Sequence, residues 1–174
     1  MERYRFHPDG TIFYLTFTIV DWLPVFVSEE ACKFMVDNLD YCHRHKGLRT
    51  KACVIMPTHM HSVCFHENLS ARELERVYRA SIGGLLSRAC SSFVHGRVPK
   101  SSGQDRERRS WQASRHPVRI ETESYWQAKL DYLHANVCRK GLVHQPKYWR
   151  FSSAAYWLTG GTIASEVLLT AIYG

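Results

Sequence analysis

Two runs of strand-forming residues, LRTKACVIMP from Leu48 and HMHSVCFH from His59, meet at the Pro57-Thr58 corner. Both are rich in residues that fit a pleated, half-buried surface. Pro57 ends the first run, and so short a link predicts that the second folds back on it as a hairpin. An antiparallel pair of strands near the middle of the chain is the element around which the rest must be arranged.

Upstream, TIFYLTFTIV (Thr11 to Val20) reads as a further strand, introduced by a Pro8-Asp9-Gly10 turn. SEEACKFMVDNLDYCHRHKG follows as a helix. Ser28 caps it, Glu29 and Glu30 favour its positive end, and Phe34, Met35, Leu39 and Cys42 form one buried stripe. Lys46 and Gly47 close it. Beyond the hairpin, Ser70-x-x-Glu73 is a capping box for a helix that turns Leu74, Val77, Ile82 and Leu85 to the core. Gly83-Gly84 weakens its middle. From Arg97 to Arg119 the chain carries seven Lys or Arg and two acidic residues, and reads as a long basic loop. A short strand is expected near Pro117 to Ile120. The last strong helix spans Glu123 to Arg139 and stops at Gly141, and the tail holds a turn and short helical pieces.

This order of elements predicts an α+β fold, an antiparallel sheet with helices packed on one face. A length of 174 residues suits one domain, 1–174, with a core of about 4–145 and a packing tail over 146–174. The 45% apolar content and five tryptophans argue against disorder. No Gly-rich phosphate loop follows a strand, and the H-E-x-x-H and G-x-S-x-G patterns are missing. No apolar run approaches the roughly 18 residues of a membrane span. None of the six cysteines forms a C-x-x-C pair, so reduced, mostly buried thiols in a cytoplasmic protein are expected. The net charge of +7 favours a polyanionic partner without naming one.

Residues i and i+2 of a strand face the same side, so His59 and His61 project together with Met60 opposite. Two neutral imidazoles make an edge for a divalent metal; the alternative is two partly exposed histidines at a strand start. In the last helix, DYLHAN places Tyr132 and Asn136 four apart on one face, whereas Asp131 and His134 point elsewhere. An amide oxygen can join two imidazoles around Mg2+ or Mn2+. A half-buried core tyrosine and a surface asparagine would look the same in sequence.

Three stretches, VIMPTHMHSV, LDYLHANVCRKGLV and PKYWRFSSAAYW, resemble the IS200-like transposases, and most of all their REP-associated branch. These are HUH endonucleases of single-stranded DNA with one catalytic tyrosine. The resemblance runs from the N-terminal strand to the tail. It implies a ferredoxin-like HUH nuclease fold with the tyrosine on a late helix. It also implies that His59, His61 and Asn136 hold Mg2+ or Mn2+, that Tyr132 is the nucleophile, and that Trp149, Ser152 and Ser153 pack behind the tyrosine helix. Where the family has Pro-Val after the asparagine this chain has Val137-Cys138, so the helix is expected to run slightly further.

The implied reaction is metal-dependent nicking and strand transfer. Tyr132 attacks phosphorus and becomes joined to the 5′ end of the DNA, releasing a 3′ hydroxyl that can later rejoin. The expected partner is single-stranded or hairpin DNA. Both a monomer and a homodimer stay open, and the implied setting is the bacterial cytoplasm, associated with the nucleoid. Arg97, Lys100, Arg106, Arg108, Arg109, Arg115 and Arg119 are candidates for phosphate contacts. Trp111 either stacks on an unpaired base or packs in the core behind the last helix. Three other functions compete: a domesticated DNA-binding protein without nuclease activity, an unrelated metal hydrolase, and an RNA-binding module. Intact His59, His61, Tyr132 and Asn136 argue against the first. The lack of carboxylates near the histidines argues against the second. The third has no need of a tyrosine and an amide on one helical face.

Overall fold

The expected hairpin lies at the centre of the fold. In the computed structural model, which describes residues 12–66, 69–70, 73–74, 76, 111–112 and 117–170, β2 (Arg49–Met56) and β3 (His59–Phe65) turn back at Pro57-Thr58. Met56 faces His59 and Val54 faces His61. The other edge of β3 takes β1 (Ile12–Thr18), also antiparallel, so that Thr18 faces His59 and Thr16 faces His61. β4 (Val118–Ile120) joins the outer edge of β1. The sheet order is β2-β3-β1-β4.

Since β1 and β2 are both antiparallel to β3, they run parallel to each other, and such a pair requires a crossover. Helix α1 (Glu29–His45) supplies it. Ser28 Oγ accepts from Ala31 N at 3.1 Å, and Gly47 leaves the helix at φ 64°, a value glycine adopts without strain. The resulting topology is ferredoxin-like, as expected. At Ser70, the capping box is formed: Ser70 N donates to Glu73 Oε2 at 3.0 Å, and Glu73 N donates to Ser70 Oγ at 3.4 Å. The remainder of that helix, the Pro8-Asp9-Gly10 turn and Cys90 lie outside the described residues. So do Arg97, Lys100, Arg106, Arg108, Arg109 and Arg115.

The expectation that the helices share one face needs correction. α1 packs Cys32, Met35, Val36, Leu39 and Cys42 against Phe13, Leu15, Phe17 and Cys64. Helix α2 (Glu123–Arg139) packs Trp126, Leu130, Leu133 and Val137 against Ile12, Tyr14, Val54 and Val63, on the opposite face. The strands permit this because both of their faces are apolar; β3 is buried from His59 through Cys64. Trp111 is corrected too. It is buried, stacked on Phe26 and edge-on to Phe17 within the α1-side core, so it neither presents a free ring nor packs behind the last helix.

The tail closes the outer edge of β2. Ser152 bridges to Val54, Ile55 N donates to Phe151 O at 2.9 Å, and Trp149 Nε1 donates to Ile55 O at 2.8 Å. Helix α3 (Ala154–Leu158) follows. Ser153 is the knot. Its hydroxyl accepts from Cys53 N at 3.0 Å, donates to Cys53 O at 3.2 Å and pairs with His134 Nε2 of α2 at 2.9 Å. Cys32, Cys42, Cys53 and Cys64 are buried. Among the described residues no helix is long and apolar enough to cross a membrane.

Ser153→Ala leaves two buried polar partners unsatisfied. We expect it to destabilise the fold by about 2–4 kcal/mol. Urea unfolding measures this, and a loss below about 1 kcal/mol would show that the knot does not hold α2 down.

Candidate functional site

The face of the sheet beneath α2 changes character along its length. Ile12, Tyr14, Val63 and Ile120 make one end apolar. Thr16 and Thr18, opposite His61 and His59, make the other end polar. Both histidines are buried, each 6% exposed. Their rings meet edge to face with centroids 4.9 Å apart. Each Nδ1 is engaged by a threonine hydroxyl at 2.9 Å, Thr58 for His59 and Thr16 for His61. These bonds fix the ring orientations and leave the Nε2 atoms as the remaining ring nitrogens, the arrangement of an oriented ligand pair.

Burial holds both imidazoles neutral. His61 is pushed down to about 3, by burial first and then by His59 and Lys129. His59 is lowered by burial and by the charge of Lys140. A neutral imidazole is the form that binds metal.

Helix α2 begins at Thr122, whose Oγ1 accepts from Tyr125 N at 3.2 Å, and runs unbroken through Val137 and Cys138 to Arg139. It therefore continues past Asn136, as the missing proline leads one to expect. Tyr132 is 44% exposed, and its ring lies edge-on to His61 at 6.0 Å. One chain thus brings its tyrosine to its own histidines. Lys140, two turns on, acts electrostatically on His59. Asn136 stands midway along that stripe, one turn of about 6 Å from each end. The histidines on β3 are about 7 Å apart along the strand. Asn136 is buried, and its Nδ2 has no hydrogen-bond partner. Among the described residues no three His, Cys, Asp or Glu are grouped so that they could hold a metal ion.

A second tyrosine is close. Tyr14 stacks on His61 at 5.5 Å and meets Tyr132 edge-on at 6.4 Å. It is buried, and its phenol is raised well above the ordinary range by burial and then by Tyr132. Tyr14 therefore stays protonated and walls the site, while Tyr132 faces solvent.

Several groups escaped sequence reasoning. Arg139 lies 5.0 Å over the Tyr132 ring and Lys129 5.0 Å over the Tyr14 ring. With Lys140 they make α2 itself a source of positive charge; their helical spacing from Tyr132 was the available signal. Thr16 and Tyr14 become visible only through strand register. Arg119 lies opposite Phe13, on the face away from the histidines, and pairs with Glu121 at 3.5 Å. His134, which points elsewhere as its helical phase predicts, is buried against Ser153 and pushed down to about 4 by that burial.

One further departure is conformational. Asp21 and Trp22 both have left-handed backbone, φ 53° and 55°. That conformation costs a non-glycine residue about 1–2 kcal/mol. Trp22 is 56% exposed, and its ring stands edge-on to His59 at 5.6 Å.

The fold, taken as a whole, is similar to solved structures. A REP-associated tyrosine transposase bound to a REP hairpin superposes with a TM-score of 0.64 over 100% of this chain and 94% of that one, at 17% identity. The two chains share one fold. A presumed transposase from Deinococcus radiodurans R1 aligns over 78% of this chain and 97% of its own, at 18% identity and a TM-score of 0.47. No family model and no curated protein matches the sequence.

Neutral, buried histidines make stability depend on pH. In the unfolded chain His61 and His134 take up protons as pH falls through about 6.5. In the folded chain they resist until about 3 and about 4. Their contribution is complete above pH 6.5 and is lost as pH falls, by up to about 1.4 kcal/mol per unit for each ring. Urea unfolding with chelator at pH 7.5 and pH 5 should show this loss. His134→Gln should remove one histidine's share of it, and equal losses in both proteins would reject the assignment.

Proposed function

We propose that the protein is a transposase of the IS200-like, REP-associated kind, a metal-dependent endonuclease and strand transferase of single-stranded DNA. The observation that carries this is the half-exposed Tyr132 ring 6.0 Å from buried His61, with buried Asn136 one turn further along the same helical stripe. The fold shared with a transposase that binds a REP hairpin supports it, and hairpin-containing repeat DNA is the substrate we infer.

His59, His61 and Asn136 suit a divalent ion of the Mg2+ or Mn2+ kind through two neutral imidazoles and the carbonyl oxygen of a buried side-chain amide, with phosphate oxygens as the further donors. Bound there, such an ion supplies Lewis-acid polarisation of the scissile phosphate. The chain supplies the rest. The Tyr132 oxygen forms a bond to phosphorus as the bond from phosphorus to the 3′ oxygen breaks. The phenol gives up its proton, and the departing 3′ oxygen takes one up. The 5′ end is left esterified to Tyr132, so the bond energy is retained and a 3′ hydroxyl can reverse the step without a nucleotide cofactor. Tyr14 and Leu133 exclude water from the inner side. Lys129, Arg139 and Lys140 offer countercharge to the strand, and Arg97, Lys100, Arg106, Arg108, Arg109 and Arg115 remain proposed phosphate contacts near the site, whereas Arg119 could meet only a part of the DNA that passes the opposite face.

Incubated with hairpin-flanked single-stranded DNA and Mn2+, the protein should become covalently attached to DNA, with the adduct on Tyr132 by mass spectrometry. Tyr132→Phe keeps the ring and should bind DNA but lose at least about a thousandfold in cleavage. An adduct on another tyrosine, or full cleavage by Tyr132→Phe, would overturn the mechanism. An inactive DNA-binding protein would bind DNA and form no adduct.

Calorimetric titration tests the metal site separately. Mn2+ should bind the wild type and Tyr132→Phe alike, and binding should fall at least about tenfold in His59→Ala and in Asn136→Ala. Unchanged binding in either variant removes that residue from the ligand set. Tight zinc binding with no response to Mg2+ or Mn2+ rejects the choice of ion.

A further inference from the structure

Resting on the proposed nuclease function, we infer that Trp22 is a stacking platform for the base of the nucleotide immediately 5′ to the scissile phosphate, the nucleotide that keeps the 3′ hydroxyl. Its setting is a loop fastened at both ends to the turn that leads into His59. Ile19 N donates to Thr58 O at 2.9 Å, and Phe26 N donates to Pro57 O at 3.0 Å. Leu23 and Val25 pack onto the α1-side core, which anchors the loop from below. The segment between is turned by two consecutive left-handed residues, neither of them glycine.

A bulky residue at positive φ is a true outlier, and such conformations gather at ligand sites when the surroundings over-determine them. Here the outcome is a large aromatic ring held in solvent. Trp22 is 56% exposed, and its ring meets that of His59 edge to face. A core role would bury it, and a purely structural loop tip would be met by glycine or asparagine at no conformational cost. An exposed indole beside a phosphate-cleaving site has the chemistry to stack on an unpaired base, whatever its identity.

The order of the rings selects the nucleotide. Tyr132 lies at the His61 end of the pair, and Trp22 lies at the His59 end. In displacement at phosphorus the attacking and leaving oxygens stand roughly in line. A tyrosine attacking from the His61 end drives the 3′ oxygen toward the His59 end, where Trp22 stands. Stacking there keeps the released 3′ hydroxyl near the phosphotyrosine for rejoining.

The cleavage position is first mapped with the wild type. Binding is then measured by fluorescence anisotropy in a Tyr132→Phe background, where the strand stays whole, using oligonucleotides with one abasic site at each position in turn. An abasic site immediately 5′ to the scissile phosphate should weaken binding about tenfold. The same substitution should cost nothing further once Trp22→Ala is added, and other positions should respond equally in both proteins. Trp22→Gly should be at least as stable to urea as the parent, since glycine accepts φ 55°, yet bind as poorly as Trp22→Ala. The inference is overturned if Trp22→Ala binds unchanged, if its loss is the same for every oligonucleotide, if the sensitive position lies elsewhere, or if Trp22→Gly is less stable. In each case wild-type cleavage leaves the nuclease function standing. A wild type that neither binds nor cleaves single-stranded DNA removes both.

Discussion

The site depends first on helix α2 lying across the histidine face of the sheet at one fixed phase. Trp126, Leu130, Leu133 and Val137 press it onto the apolar end of that face. Burial alone is non-directional and would tolerate some rotation or sliding. The bond from His134 to Ser153 is directional and ties the helix to β2 through Cys53. A helical residue turns through about 100°, so fixing His134 inward also fixes where Tyr132 and Asn136 must point. His134 thereby aims Tyr132 and Asn136, the two residues for which we propose a chemical role.

The second constraint is electrostatic. His59 and His61 are buried at the polar end of an otherwise apolar face, where burial disfavours their charged forms. Lys129 and Lys140 press in the same direction. The same cations suit the phosphates of the proposed substrate, so one set of charges opposes protonation of the imidazoles and favours a polyanion. Tyr14 and Tyr132 show how environment separates two like side chains: one is sealed beneath the helix and stays protonated, the other opens to solvent.

Local conformational cost is concentrated beside this polar end. The core elements have ordinary caps and ordinary turns, with glycine at Gly47 and Gly141 where left-handed backbone is needed. Asp21 and Trp22 break that rule, and the Trp22 ring stands against His59. Among the described residues these are the two non-glycine residues at positive φ, and such a local departure at the edge of a candidate site is expected to gain something there other than stability.

Periodicity by itself determined a good deal. The strand repeat put His59 and His61 on one side, and the helical repeat put Tyr132 with Asn136 and turned His134 away. The hairpin at Pro57-Thr58, the Ser28 cap and the capping box at Ser70 were legible because each is a contest between neighbours in the chain. Tertiary structure decided what those faces meet. A strand such as β3, apolar on both sides, does not say which side a helix will cover, and α1 and α2 took opposite ones. The partnership of Thr16 with His61 depends on the register between strands 45 residues apart. Trp111, in a stretch that reads as basic loop, went into the α1-side core, while Trp22, at the end of a strand pattern, was left in solvent. A residue's pattern sets the direction of its side chain relative to its own element; only the packing of distant elements sets whether that direction is inside or out.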